Sequence, residues 1–144
     1  MLGIIIALIS GALMSIQGVL NSGATKQTST WITAMAVQLS AFIVCVIAYY
    51  TTERNIKISS LLHVTPRYLL LGGIIGAFIT ITVIKSISAL GTAKAEMFIV
   101  CSQLIVAYII ELLGMFGAAK QDFQLRKSIG VFIFLIGVII FKWK

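Results

Sequence analysis

The stretch LGIIIALISGALMSIQGVLN, residues 2–21, contains no charged residue, and none occurs in the chain before Lys26. A helix rises 1.5 Å per residue, so about 20 apolar residues cross a hydrocarbon core about 30 Å thick. With no basic segment ahead of it and no A-x-A-like site behind it, the stretch reads as a retained helix and not a cleaved signal peptide. Four more apolar runs follow. The second, 31–50, opens at Trp31 and closes on Tyr49 and Tyr50, aromatic residues suited to a membrane–water interface. The third, 68–90, begins at Tyr68 and leads through the turn LGTA around Gly91 into the fourth, 93–113. The fifth, 128–143, is short and spans only if Lys127 and Lys142 snorkel and Trp143 anchors the far interface. The expectation is an all-α membrane protein of about five transmembrane helices in one domain, 1–144. Four spans with an interfacial helix are the alternative.

Composition leads to the same class. Of 144 residues, 60% are hydrophobic and 10% charged, with a mean hydropathy of +1.10. A soluble domain carries about 25% charged residues, enough to clothe its core. Here the apolar surface must meet lipid, and the bilayer is the first partner. The net charge of +7 does not suggest nucleic acid, because the basic residues sit singly or in pairs between apolar runs and form no patch. Cys45 and Cys101 lie inside apolar runs and read as buried free thiols. The single His63 lies in a loop near Pro66, without a Cys or carboxylate at ligand or triad spacing. There is no P-loop, so no ATP-driven motor is indicated. No catalytic role, metal or cofactor is expected.

Charge placement bears on orientation. With five spans, Arg54, Lys57, Arg67, Lys120, Arg126 and Lys127 fall on one side, which is six of the eleven Lys and Arg residues. Lys26, Lys85, Lys94, Lys142 and Lys144 make up the other five. A strongly oriented protein concentrates Lys and Arg in its cytoplasmic loops. A near-even split allows insertion both ways, and two opposed copies pair as an antiparallel homodimer. If Lys85 and Lys94 lie within the membrane, the split becomes six to three, with the longest loop (TTERNIKISSLLHVTPR, 51–67) and the N terminus cytoplasmic. Transporters commonly carry inverted repeats around a midplane site. Five short helices wall such a cavity poorly, and two inverted copies would supply the repeat. Gly72, Gly76 and Thr80 form a small-residue stripe for helix packing, as do Gly3, Ala7, Ser10, Gly11 and Gly18.

Ionisable residues in a span are costly unless paired, so each is a candidate site. Glu96 and Lys85 are equidistant from the turn and form an ion pair in a tight hairpin. Alternatively, Glu96 faces a cavity and binds a proton or a cationic solute. Glu111, near the other end of its helix, reaches Lys120, Arg126 or Lys127, or takes part in proton coupling. Gln103 shares a face with Glu96. Gln17 has Asn21 one turn on. Together, Gln17, Asn21, Gln103 and Glu96 are the candidate substrate-binding set, and Gln38 is read as a tie between helices.

The motifs GALMSIQGVLN, LGGIIGAFIT, LGTAKAEMFIVCSQL and LLGMFG, with a basic loop before GVFIFLIGVIIF, occur in an order that covers nearly the whole chain. The sequence resembles the drug/metabolite transporter superfamily, most closely the small five-helix DUF606 or YdcZ-like family. The resemblance implies a bacterial inner-membrane transporter, found as dual-topology singles, opposed pairs or fused tandem copies. It matches family glutamines at Gln17 and Gln103 and an acidic position at Glu111. Lys94 and Glu96 depart from the apolar or hydroxyl residues expected there. The function expected is ion-gradient-driven export or exchange of a small organic solute of unidentified chemistry. A passive dimeric channel and a non-transporting scaffold are the alternatives.

Dual insertion is testable with a single reporter cysteine near Lys142 in a chain whose Cys45 and Cys101 are replaced. Comparable labelling from both faces of intact cells is expected. Labelling from one face alone would eliminate the antiparallel homodimer.

Overall fold

A computed structural model describes residues 1–142, Lys142 by its backbone alone. The Trp143 anchor and the snorkelling of Lys142 lie outside the described residues. Among the described residues, five α-helices follow one another: α1 (Leu2–Gln27), α2 (Thr30–Thr52), α3 (Gly72–Leu90), α4 (Thr92–Leu113) and α5 (Leu125–Lys142). A helix satisfies its backbone hydrogen bonds internally, which lipid requires of any spanning segment. Among the described residues, four stretches, Leu2–Gln27, Thr30–Thr52, Arg67–Leu90 and Thr92–Leu113, are long and apolar enough to cross a membrane. Helix α5 has 18 residues, a reach of about 27 Å, but carries Arg126 and Lys127 in its first turn and Lys142 at its end.

Helix α1 continues beyond the apolar run 2–21 through a polar stretch to Gln27. Its hydroxyls back-bond to the preceding turn: Thr25 Oγ1 donates to the Asn21 carbonyl at 2.9 Å and Thr28 Oγ1 to the Ala24 carbonyl at 2.9 Å. Satisfied this way, Ser and Thr need no water and the helix has no reason to stop. The Ser29 side chain then accepts the Ile32 N–H at 3.3 Å and caps α2. The longest loop forms two short 3₁₀ segments, Ile58–His63 and Arg67–Leu71, the second leading directly into α3.

The chain forms two compact units, Met1–Ala89 and Leu90–Lys144. In the first, α1 packs along α2, and the Thr28 and Thr33 hydroxyls lie 3.0 Å apart where the two helices join. The Ser22 and Ser88 hydroxyls, 3.3 Å apart, tie α1 to α3. Buried positions are Gly18 and Ser22 on α1, Thr33 and Ala34 on α2, and Ile81, Ile84 and Ile87 on α3. Small residues on two of the three helices permit the close backbone approach that drives association in lipid. Of the Gly72–Gly76–Thr80 stripe, Gly76 faces a neighbour: a Cβ there would sit 3.7 Å from Gln38 Nε2. Gly72 has open space around it, and Thr80 Oγ1 donates to the Gly76 carbonyl at 3.0 Å. In the second unit α4 and α5 pack as a hairpin. Outward residues such as Leu8, Phe42, Phe78 and Ile140 are more than half exposed, an apolar exterior that suits lipid.

A single residue, Gly91, separates α3 from α4 with φ 80° and ψ 159°, a region essentially closed to residues bearing a Cβ. Gly91→Ala should cost about 1–3 kcal/mol through this strain. By contrast, Gly73→Ala, in a helix with nothing within 4 Å, should be neutral or stabilising by up to about 1 kcal/mol. Thermal unfolding in detergent compares the two; equal midpoints would remove the Gly91 constraint.

Candidate functional site

The second unit has the better-defined polar geometry. Helix α4 ends at Gly114, whose left-handed backbone (φ 64°) lets its N–H bond the Ile110 carbonyl. A Cβ at Gly114 would meet the Lys120 Cβ at 3.1 Å, so the chain turns back closely here. The Gln121 N–H donates to the Glu111 carbonyl at 2.9 Å, satisfying one of the end carbonyls of α4. The chain then enters α5 beside the last turns of α4. Lys127 Nζ lies 3.1 Å from Glu111 Oε2, both side chains about half exposed. Three residues before Glu111, the Tyr108 hydroxyl lies 3.2 Å from Ser128 Oγ and donates to the Gln124 carbonyl at 3.4 Å.

An open cleft of about 460 Å³ runs along this hairpin. Glu111 and Lys127 line its loop end, with Tyr108 beside them; Leu104, Ala107, Val131 and Phe134 carry it towards the middle of the helices. Of the three cations within reach of Glu111 by sequence, Lys127 is its partner. Tyr108 and Ser128 were missed by sequence reasoning. The available signal was a phenol inside an apolar run, which needs a hydrogen-bond partner when sequestered.

The candidate binding residues divide between the units. Gln17 and Asn21 lie one turn apart on α1, each immediately before a buried residue, Gly18 and Ser22 respectively; Gln17 is exposed and Asn21 half-buried. Glu96 and Gln103 lie two turns apart on α4, Glu96 half-buried and Gln103 exposed. Within their own units, among the described residues, none of these four side chains has a hydrogen-bond or ionic partner. Lys85 is exposed on α3, in the first unit.

A second cleft, of about 470 Å³, lies in the first unit between the end of α2 and the segment after it. The Tyr49 hydroxyl donates to the Ile56 carbonyl at 2.6 Å, and Arg54 Nε donates to the Tyr50 carbonyl at 2.6 Å. Tyr49 and Tyr50 pack edge to face at 5.2 Å. An aromatic pair, of a residue type suited to a membrane–water interface, therefore marks the end of α2. His63 Nδ1 sits 3.1 Å from the Ser59 carbonyl.

A protein-family model described as "Putative inner membrane exporter, YdcZ" matches residues 2–140. The chain belongs to this family. No curated protein and no solved structure matches it. As a YdcZ-family member the protein is a multi-pass membrane protein of the inner membrane and a transporter, not an enzyme. The match runs across both units and includes every candidate binding or coupling residue, from Gln17 to Glu111.

A double-mutant cycle on Glu111→Gln and Lys127→Gln should give a coupling of about 0.5–1 kcal/mol, as for a partly exposed pair. Detergent unfolding midpoints of the four chains provide it. A coupling indistinguishable from zero would show that the contact does not tie α4 to α5.

Proposed function

We propose that the chain is a secondary transporter acting as an antiparallel homodimer. In this reading it exports or exchanges a small organic solute by alternating access. The observation that carries this reading is the set of polar side chains left without partners in their own units: Gln17 and Asn21 on α1, Glu96 and Gln103 on α4. A charge in a membrane span costs several kcal/mol unless it is paired or faces a watery cavity. Partners from the other unit, a second copy or a bound solute would satisfy these groups. Membership in an exporter family supports the last of these.

All five α-helices span in this proposal, α5 through snorkelling of its terminal cations, and the whole chain works as one domain. A single copy has too few helices to wall a midplane cavity, and two opposed copies supply an inverted repeat. The even distribution of Lys and Arg supports that arrangement. The small-residue stripe of Gly72, Gly76 and Thr80 offers a packing face, with Gly72 open to a neighbour.

Glu96 is assigned the coupling role, binding either a proton or an amine-bearing solute so that the two compete for one carboxylate. Glu111, the second candidate for proton coupling, already has Lys127 within 3.1 Å, which favours a structural role. If Lys85 neutralises Glu96 instead, the solute is neutral and polar and is held by Gln17 and Gln103.

Proteoliposomes under an inward proton gradient, screened with a panel of amines, test the assignment. Uphill amine movement should fall at least about tenfold in Glu96→Gln, the loss of one charge-assisted contact. The double substitution Gln17→Ala and Gln103→Ala should abolish transport of neutral polar solutes; intact transport would remove the amides from the path. Flux faster than alternating access, with no uphill movement, would mean a passive channel.

A further inference from the structure

We propose that the α4–α5 cleft is a binding site for an amine-bearing phospholipid, phosphatidylethanolamine, independent of the solute path. The charges and the apolar lining are ordered along the helices as they are along a phospholipid. Glu111 lies in the last turn of α4 and Lys127 in the first turn of α5, at the loop end of the hairpin. Leu104 lies seven residues before Glu111 and Phe134 seven residues after Lys127, so each is about 10 Å deeper along its helix. Ala107 and Val131 fill the interval. A headgroup at the interface would therefore have its acyl chain alongside an apolar wall.

Charge complementarity selects the headgroup. Glu111 and Lys127 satisfy each other at 3.1 Å, and both are about half exposed. A ligand bearing one charge would satisfy one of them and strand the other, which is unfavourable at a membrane surface. A zwitterion replaces one ion pair with two: its phosphate meets Lys127 and its ammonium meets Glu111. A primary ammonium also donates hydrogen bonds to the carboxylate, which a trimethylated choline cannot do. An anionic phosphatidylglycerol would leave Glu111 unmatched. The Tyr108 hydroxyl, beside the same end of the cleft, adds a polar group for the phosphate or glycerol ester.

The test is native mass spectrometry of the full chain released from micelles containing phosphatidylethanolamine, its N-methylated derivatives, phosphatidylcholine or phosphatidylglycerol, all with matched acyl chains. Retention of phosphatidylethanolamine should exceed that of the choline and glycerol lipids by about tenfold and fall with successive N-methylation. Glu111→Gln should erase the preference over phosphatidylcholine, and Lys127→Met should lower retention of every phospholipid. Lys57→Met, at the second cleft, should change neither. Equal retention of ethanolamine and choline lipids by the unaltered chain would overturn the proposal without any variant. So would a preference that survives Glu111→Gln. Displacement of the lipid by water-soluble glycerophosphoethanolamine at equal concentration would also overturn it, making the cleft a site for a small zwitterion.

Discussion

Lipid offers no hydrogen bonds, and most features of this chain follow from that. Every backbone N–H and C=O inside the apolar layer must find a partner within the protein, which leaves helices as the economical solution for a chain this short. The same constraint acts on side chains. Thr25, Thr28, Thr80 and Thr82 turn their hydroxyls back onto carbonyls of the preceding turn. A few polar side chains are joined between helices instead, Ser22 with Ser88, Thr28 with Thr33, Tyr108 with Ser128 and Glu111 with Lys127. Hydrophobic burial, which dominates folding in water, contributes little here, since lipid tails are as apolar as the leucines that would be buried. Accordingly the fully buried large side chain is a single one, Ile84, among the described residues.

The helices were legible because long apolar runs between charged loops are what a membrane constraint leaves in a sequence. Residues 31–50 and 93–113 fall within α2 and α4, with each end displaced by at most a turn. The extension of α1 to Gln27 was not legible in the same way. Ser22, Gly23, Thr25 and Lys26 look like a loop by polarity, and only the back-bonding of the threonines makes them compatible with a helix. The 3₁₀ segments after α2 were hidden for another reason: their side chains have no period that marks a tight turn.

For the site, residue type was informative and pairing less so. Glu111 stood out as an acid in an apolar run, and its basic loop narrowed the partner to three cations. Choosing Lys127 among them required the turn geometry of Gly114 and the path of residues 114–124, which the order of residues does not encode locally. Tyr108 was passed over because a tyrosine is compatible with many membrane environments, and its role depends on Ser128, twenty positions away. Gln17, Asn21, Gln103 and Glu96 were recognisable as costly residues. What satisfies each of them depends on neighbours that sequence spacing cannot supply.

The two glutamates of α4 show how the constraint separates structure from function. They share one helix and one chemistry, but Glu111 sits in the last turn, where a lysine of the next helix reaches it within 3.1 Å. Glu96 lies near the other end, half-buried and without an ionic partner in its own unit among the described residues. A paired carboxylate at a helix end fixes a hairpin at little cost, because its charge is compensated whether or not anything binds. An uncompensated one makes the empty state costly, so any cation that neutralises it gains binding energy from relieving that cost. If export is driven by an ion gradient, the carboxylate that couples it should be the one whose charge the protein leaves for the ion or solute to neutralise. On that ground Glu96 is better suited to coupling than Glu111.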